Sequence, residues 1–199
     1  MYALVENNTI TKYFNSPKGF TLGDKQYPSD IFMKWSVEEK EAIGIHEVIF
    51  DDSNKKDEAW YINTNQSYAF ANDTVTATYG IATPKAHADT NATEADGVEL
   101  DPVVVIPGLK TKLIKNLKIT VANELAKTDW YITRNTEKTT AIPSAITTHR
   151  DSVRTTQASI EAQITGASDT AALETLHTYT TDANGVQSRP LGTLPTLEI

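Results

Sequence analysis

The sequence has no cysteine. Disulfides and thiolate metal sites are therefore excluded, and the chain needs no oxidising compartment to fold. It has no long apolar run either: nothing approaches the roughly 20 residues that a membrane helix requires. The opening "MYALVENNTI" lacks the basic-then-apolar pattern of a secretion signal. Its four histidines, His46, His87, His149 and His177, are scattered without the H-x-x-x-H or H-E-x-x-H spacing of a helical zinc site. No glycine-rich phosphate loop and no G-x-S-x-G occurs. Asp51-Asp52 and Asp57-Glu58 bracket a lysine-containing loop, but the EF-hand spacing and its glycine are missing. These absences predict a protein that is not an enzyme and takes no metal or cofactor.

Charge is unevenly placed. Residues 1–100 hold 8 Lys, no Arg and 16 Asp+Glu, whereas residues 101–199 hold 6 Lys, 4 Arg and 10 Asp+Glu. The first half thus carries the whole net charge of -8. An acidic half repels phosphate backbones, so nucleic acid is not an expected partner. The 199 residues suffice for one sizeable core or two small ones.

The spacing of apolar residues divides the chain. In "YALVENNTITKYF" apolar and polar positions alternate around Asn7-Asn8, which suits a two-residue hairpin turn; Tyr2, Leu4, Ile10 and Phe14 are the candidate inner face. Ser36 and Glu39 have the capping-box spacing, and Gly44 sits where a helix must turn left-handed, so one short helix is predicted over 37–43. "IHEVIF" reads as a strand, and the segments around Trp60, Tyr68, Phe70, Val75 and Ala77 read as a meander with turns at "TNQ" and "AND". Residues 83–102 have almost no large apolar side chain and read as a linker. "VVVIPG" follows, a β-branched run that wants a sheet edge of its own domain or of a partner.

From Leu109 the period changes to four. Leu113, Leu117, Val121 and Leu125 form a helical stripe with Lys110, Lys112, Lys115 and Lys118 around it, and a helix is predicted to run to about Glu137. "KTTAIPS" breaks it, because Pro143 suits only a first turn. Ile146, Val153 and Ile160 then repeat every seven residues with polar His149, Thr156 and Gln163 between them. Gly166 ends that helix, and Ser168 caps a third. The expected fold is α+β: a β-rich head over 1–82, the linker, a helical hairpin domain over 103–178, and a tail over 179–199. Asp129-Trp130-Tyr131 stands at the tip of the hairpin, and Arg150 and Arg154 can meet Asp129 or Glu137 across it. Trp130 is expected to be buried at a helix–helix or subunit contact and to act in packing; the rival reading is an exposed platform for a receptor glycan.

The tip segment, "TDWYITRNTEKTTAIPSAITTHRDSVR", resembles one found in tail-fibre-region proteins of double-stranded DNA bacteriophages. The pattern is carried by Thr128, Asp129, Trp130, Arg134, Glu137, Ile142, Pro143, Arg150 and Arg154. "PSDIFMKWSVEEKEAIGIHEV" and "YINTNQSYAFANDTVTATYGIAT" are similar to the small β-rich head of tail proteins from marine phages. Family forms often place an acid and a glycine before the I-P; this chain has "KTTAIP". The resemblance implies a structural component of a phage tail, made in the host cytoplasm and carried in the virion, or a fibre-assembly chaperone that does not stay there. It implies other tail proteins as partners, a host surface receptor as a further contact, and a homo-oligomer, a trimer by analogy with fibres. The interface is expected to use Leu113, Leu117, Val121, Leu125, Trp130, Arg134, Ile146, Arg150, Val153, Arg154 and Ile160.

Overall fold

Asn7, Asn8, Asn72 and Asp73 all have positive φ, between 50° and 60°. Paired left-handed residues make the tight turns that match the twist of two antiparallel strands, and Asn and Asp tolerate that conformation best. These two turns organise the first of two units seen in a computed structural model, which describes residues 1–197.

The first unit, Met1–Thr83, contains β1 (Tyr2–Glu6), β2 (Thr9–Phe14), β3 (Phe20–Leu22), β4 (Lys25–Tyr27), α1 (Ile31–Lys34), α2 (Val37–Glu41), β5 (Ile45–Asp51), β6 (Tyr61–Ile62), β7 (Gln66–Ala71) and β8 (Thr74–Tyr79). Its main sheet has the order β2-β1-β5-β8-β7. All neighbours are antiparallel except β5 and β8, so the sheet departs from a simple meander at its centre. One face carries Leu4, Phe14, Phe20, Ile31, Phe32 and Ile45, covered by the helices and the β3–β4 ribbon. The other carries Ala3, Val5, Val48, Val75 and Ala77, with Ile10, Tyr68 and Phe70 against them. The sheet curls around this second cluster far enough for Tyr13 of β2 to meet Tyr68 of β7, ring centres 4.8 Å apart.

Ile10 was expected beside Leu4 but lies on the opposite face. A bulge between Leu4 and Val5 pairs Leu4 with Lys12 and Val5 with Ile10, and one extra residue flips the side-chain parity. The capping box forms as read: the Ser36 hydroxyl accepts from the Glu39 N–H at 3.2 Å, and the Glu39 carboxylate accepts from the Ser36 N–H at 2.9 Å. A second short helix, α1, precedes it and corrects the expectation of one. Its first turn has no side-chain cap, so it left no local signature.

β9 (Thr83–Pro84) spans the boundary of the units. The second unit then holds β10 (Thr90–Asn91), β11 (Val105–Ile106), α3 (Leu109–Ala126), α4 (Asp129–Lys138), α5 (Ser144–Gly166), α6 (Thr170–His177), β12 (Thr180–Thr181) and β13 (Gln187–Ser188). The molecule is thus mixed α+β, β-rich in its N-terminal region and helical in its C-terminal half. Residues 84–102, read as a linker, fold back on the helices together with 103–108. The Leu109 and Lys110 N–H groups donate to the Ala86 and His87 carbonyls, and the Gly108 N–H donates to Asp89 at 2.8 Å. A Cβ at Gly108 would overlap the Ala88 carbonyl, so only glycine permits this approach. Backbone satisfaction of a helix start, not apolar burial, orders this polar segment.

α3 and α5 pack side by side in opposite directions. At one end Lys110 donates to the Thr165 carbonyl at 2.8 Å; at the other Arg150 reaches Leu125. The α6 cap is Asp169, whose carboxylate accepts from Ala172, and not Ser168. In the tail, β12 and β13 form a small ribbon and Leu191 is buried; its last two residues lie outside the described residues.

Candidate functional site

The helix predicted over 109–137 is broken at Lys127-Thr128. Thr128 has φ -117° and ψ 2°, which leaves the helical region, and it is fully buried. Its hydroxyl donates to the Leu125 carbonyl at 2.9 Å. Arg150, one helix away, closes the break. Its Nη1 donates to the Leu125 carbonyl (2.8 Å), the Thr128 hydroxyl oxygen (2.7 Å) and the Asp129 carboxylate (2.8 Å). Two hydrogens are shared among three oxygens at the end of α3, where helix carbonyls lack partners and favour a cation. Of the pairs expected across the tip, Arg150 with Asp129 is present. Arg154 instead lies 3.5 Å from Asp151 on its own helix, in solvent.

Below the break sits a second polar group. His149 is buried, and its Nε2 lies 3.3 Å from Glu124 Oε1, a close contact whose alignment falls short of a hydrogen bond. Glu124 also pairs with Lys127. The Lys127 hydrogen bond, followed by the charges of Lys127 and His149, outweighs partial burial and holds the Glu124 carboxyl below its ordinary range. The seam is apolar where the heptad predicted it: Ile146, Val153 and Ile160 are buried, and so is Val121 of α3. Leu113, Leu117 and Leu125 are only half-buried.

The outer side of the tip is open. α4 has no buried residue. Trp130 is 51% exposed, which corrects the expectation of burial at a helix–helix contact and leaves that of a subunit contact. It packs against Tyr131, centroids 3.8 Å apart, and the Arg134 guanidinium lies 4.6 Å above it. Arg134 Nε is buried without a hydrogen-bond partner. The sequence marked these three residues but could not say which way α4 faces, because the break at Thr128 resets the helical phase.

Among the described residues no group of three or more His, Cys, Asp or Glu could hold a metal ion, and no helix is long and apolar enough to cross a membrane. The arrangement is thus a braced elbow with an exposed aromatic and cationic surface. Trp, Tyr and Arg are the residue types that dominate binding energy at protein interfaces. No protein-family model, curated protein or solved structure matches the chain.

Proposed function

We propose that the chain is a structural subunit of a bacteriophage tail, a fibre component, appendage or fibre-attachment adaptor, that acts through protein–protein contacts and assembles as a homo-oligomer. In this reading α3 and α5 form a helical hairpin whose tip, α4, presents Trp130, Tyr131 and Arg134 to a neighbouring subunit. The observation that carries the reading is the elbow. Thr128, Asp129 and Arg150, three of the nine residues through which the chain resembles tail-region proteins, meet in one bonded cluster that fixes the direction of an exposed helix.

Surface area supports the oligomer. Scaling predicts about 11,000 Å² even for two separate compact bodies of these sizes, and the chain exposes 13142 Å². The excess of about 2,000 Å² is well above the roughly 800 Å² that each partner buries in a standard interface. The test is mass spectrometry of purified virions. Detection of the chain at a copy number matching other tail proteins is the expected result. Its absence from fibre-bearing particles would overturn the virion reading in favour of an assembly chaperone.

A further inference from the structure

We propose that the chain assembles head to tail, with helix α3 of one copy seated on the open sheet face of the first unit of a second copy. This rests on the reading of the chain as a homo-oligomer but not on its assignment to a phage tail.

The first unit leaves part of one sheet face uncovered. Along β5, Glu47, Ile49 and Asp51 continue the face that begins with buried Ile45, and beyond the cover they are exposed. Thr76 and Thr78 of β8 stand beside Ile49 and Asp51 in register, and Ser67 and Ala69 of β7 pair with Thr78 and Thr76. The face lies on the outside of the curled sheet, and its β7 and β8 side chains are small. At its edge a depression of about 370 Å³ is lined by Val37, Glu41, Glu47, Ile49 and Asp73. Apolar Ile49 and Val37, 56% and 52% exposed, are thus ringed by three carboxylates.

The second unit leaves the complementary surface. Thr111, Ile114, Lys115, Lys118, Ile119 and Ala122 lie on one side of α3, away from α5, with Ile119 exposed. Here two isoleucines are flanked by two ammonium groups. Among the described residues Glu47, Asp73, Lys115 and Lys118 make no ion pair within the chain. An acidic apolar face and a basic apolar helix therefore exist on one polypeptide, each unsatisfied. A twofold contact that placed α3 against α3 would set lysines against lysines. A contact of α3 with the sheet face of another copy sets them against carboxylates, and in its heterologous form closes into a ring such as a trimer where its rotation permits.

The test uses two charge-reversed variants of the full chain, Lys115→Glu/Lys118→Glu and Glu41→Lys/Glu47→Lys. All four residues are exposed, so far-UV circular dichroism is expected to stay at the wild-type spectrum. In sedimentation velocity wild type self-associates, more weakly as salt rises, and each variant alone loses about tenfold or more in affinity. Mixed one to one, the variants regain association in alternating order, because the unaltered helix of one meets the unaltered face of the other and the two reversed surfaces are complementary in turn. Wild-type association that neither variant weakens leaves the oligomer in place and overturns this interface. Variants that lose association but fail to associate again when mixed overturn the pairing of α3 with the sheet face, and a wild type that stops at a closed dimer overturns the head-to-tail geometry. A wild-type chain that stays monomeric overturns both the interface and the oligomer, whatever the virion measurement gives.

Discussion

At the residue scale the molecule separates groups that brace the fold from groups that face outward. Arg150 braces. Arg150→Ala leaves the buried Thr128 hydroxyl and the Leu125 carbonyl without their cationic donor, and is expected to cost about 1.5–3 kcal/mol in urea unfolding. Trp130 faces outward, so Trp130→Ala should cost about 1 kcal/mol or less in the same assay, the loss of an exposed cation–π contact. A loss of 3 kcal/mol at Trp130 would contradict the exposure described. Thr139 is strained. It ends α4 with φ 51°, a left-handed position for which a β-branched residue is poorly suited. Thr139→Gly should therefore stabilise by about 0.5–1 kcal/mol, the relief of strain exceeding the added freedom of the unfolded chain. Glu124 sets a pH dependence. Its folded carboxyl titrates below the ordinary 4.5, so its contribution is fully present above that value and is lost as the pH falls through the folded one. Stability measured between pH 7 and pH 3 should fall below pH 4.5, and Glu124→Gln should flatten that fall. Asp89 and Asp169 are lowered too, by hydrogen bonds to Thr111 and Gly108 and to Ala172, so part of the slope should remain.

At the element scale, what the sequence disclosed follows the range of the interaction responsible. Cap and turn signals act over two to four residues, so the Ser36–Glu39 box and the Asn7-Asn8 turn were legible. Periodicity acts over a helix, so Val121, Ile146, Val153 and Ile160 were found as buried positions. The break at Thr128 was not legible, because it is stabilised by an arginine 22 residues away. His149 was read as a polar gap in an apolar seam. Its burial depends on Glu124 standing opposite, which heptad spacing cannot show. The fold-back of residues 84–108 was missed for the same reason. A polar stretch without apolar anchors reads as a linker unless its partners, here the unsatisfied amides of α3, are known. The candidate site was legible in its residue types and not in its direction: Trp130, Arg134 and Arg150 were marked, but only the three-dimensional break shows that Arg150 points in and Trp130 points out.

At the scale of the whole molecule, the two units differ in how their stability is secured. Both apolar clusters of the first unit are built wholly from residues before Thr83, and aromatic contacts among Tyr2, Phe14, Phe20, Tyr27, Phe32 and Trp35 tie its helices and ribbon to the sheet. Nothing in those clusters comes from the helical half. A fragment of residues 1–83 should therefore fold alone. Its size places it near the lower limit for a single core without disulfides, so its stability should be modest, on the order of 3–5 kcal/mol. The expected observation is a single cooperative urea transition by tryptophan fluorescence, coincident with that by circular dichroism, since Trp35 packs on Tyr27 and Trp60 is buried. Gly44 supplies a control. Its φ of 79° and the closeness of the Val5 carbonyl, which accepts no side chain there, make Gly44→Ala strongly destabilising. A fragment that folds, and that Gly44→Ala unfolds, identifies the first unit as an independent head. A fragment that stays unfolded would mean that its core needs the helical half or a neighbouring copy, and the division of the chain at Thr83 would then mark a change of architecture within one cooperative unit.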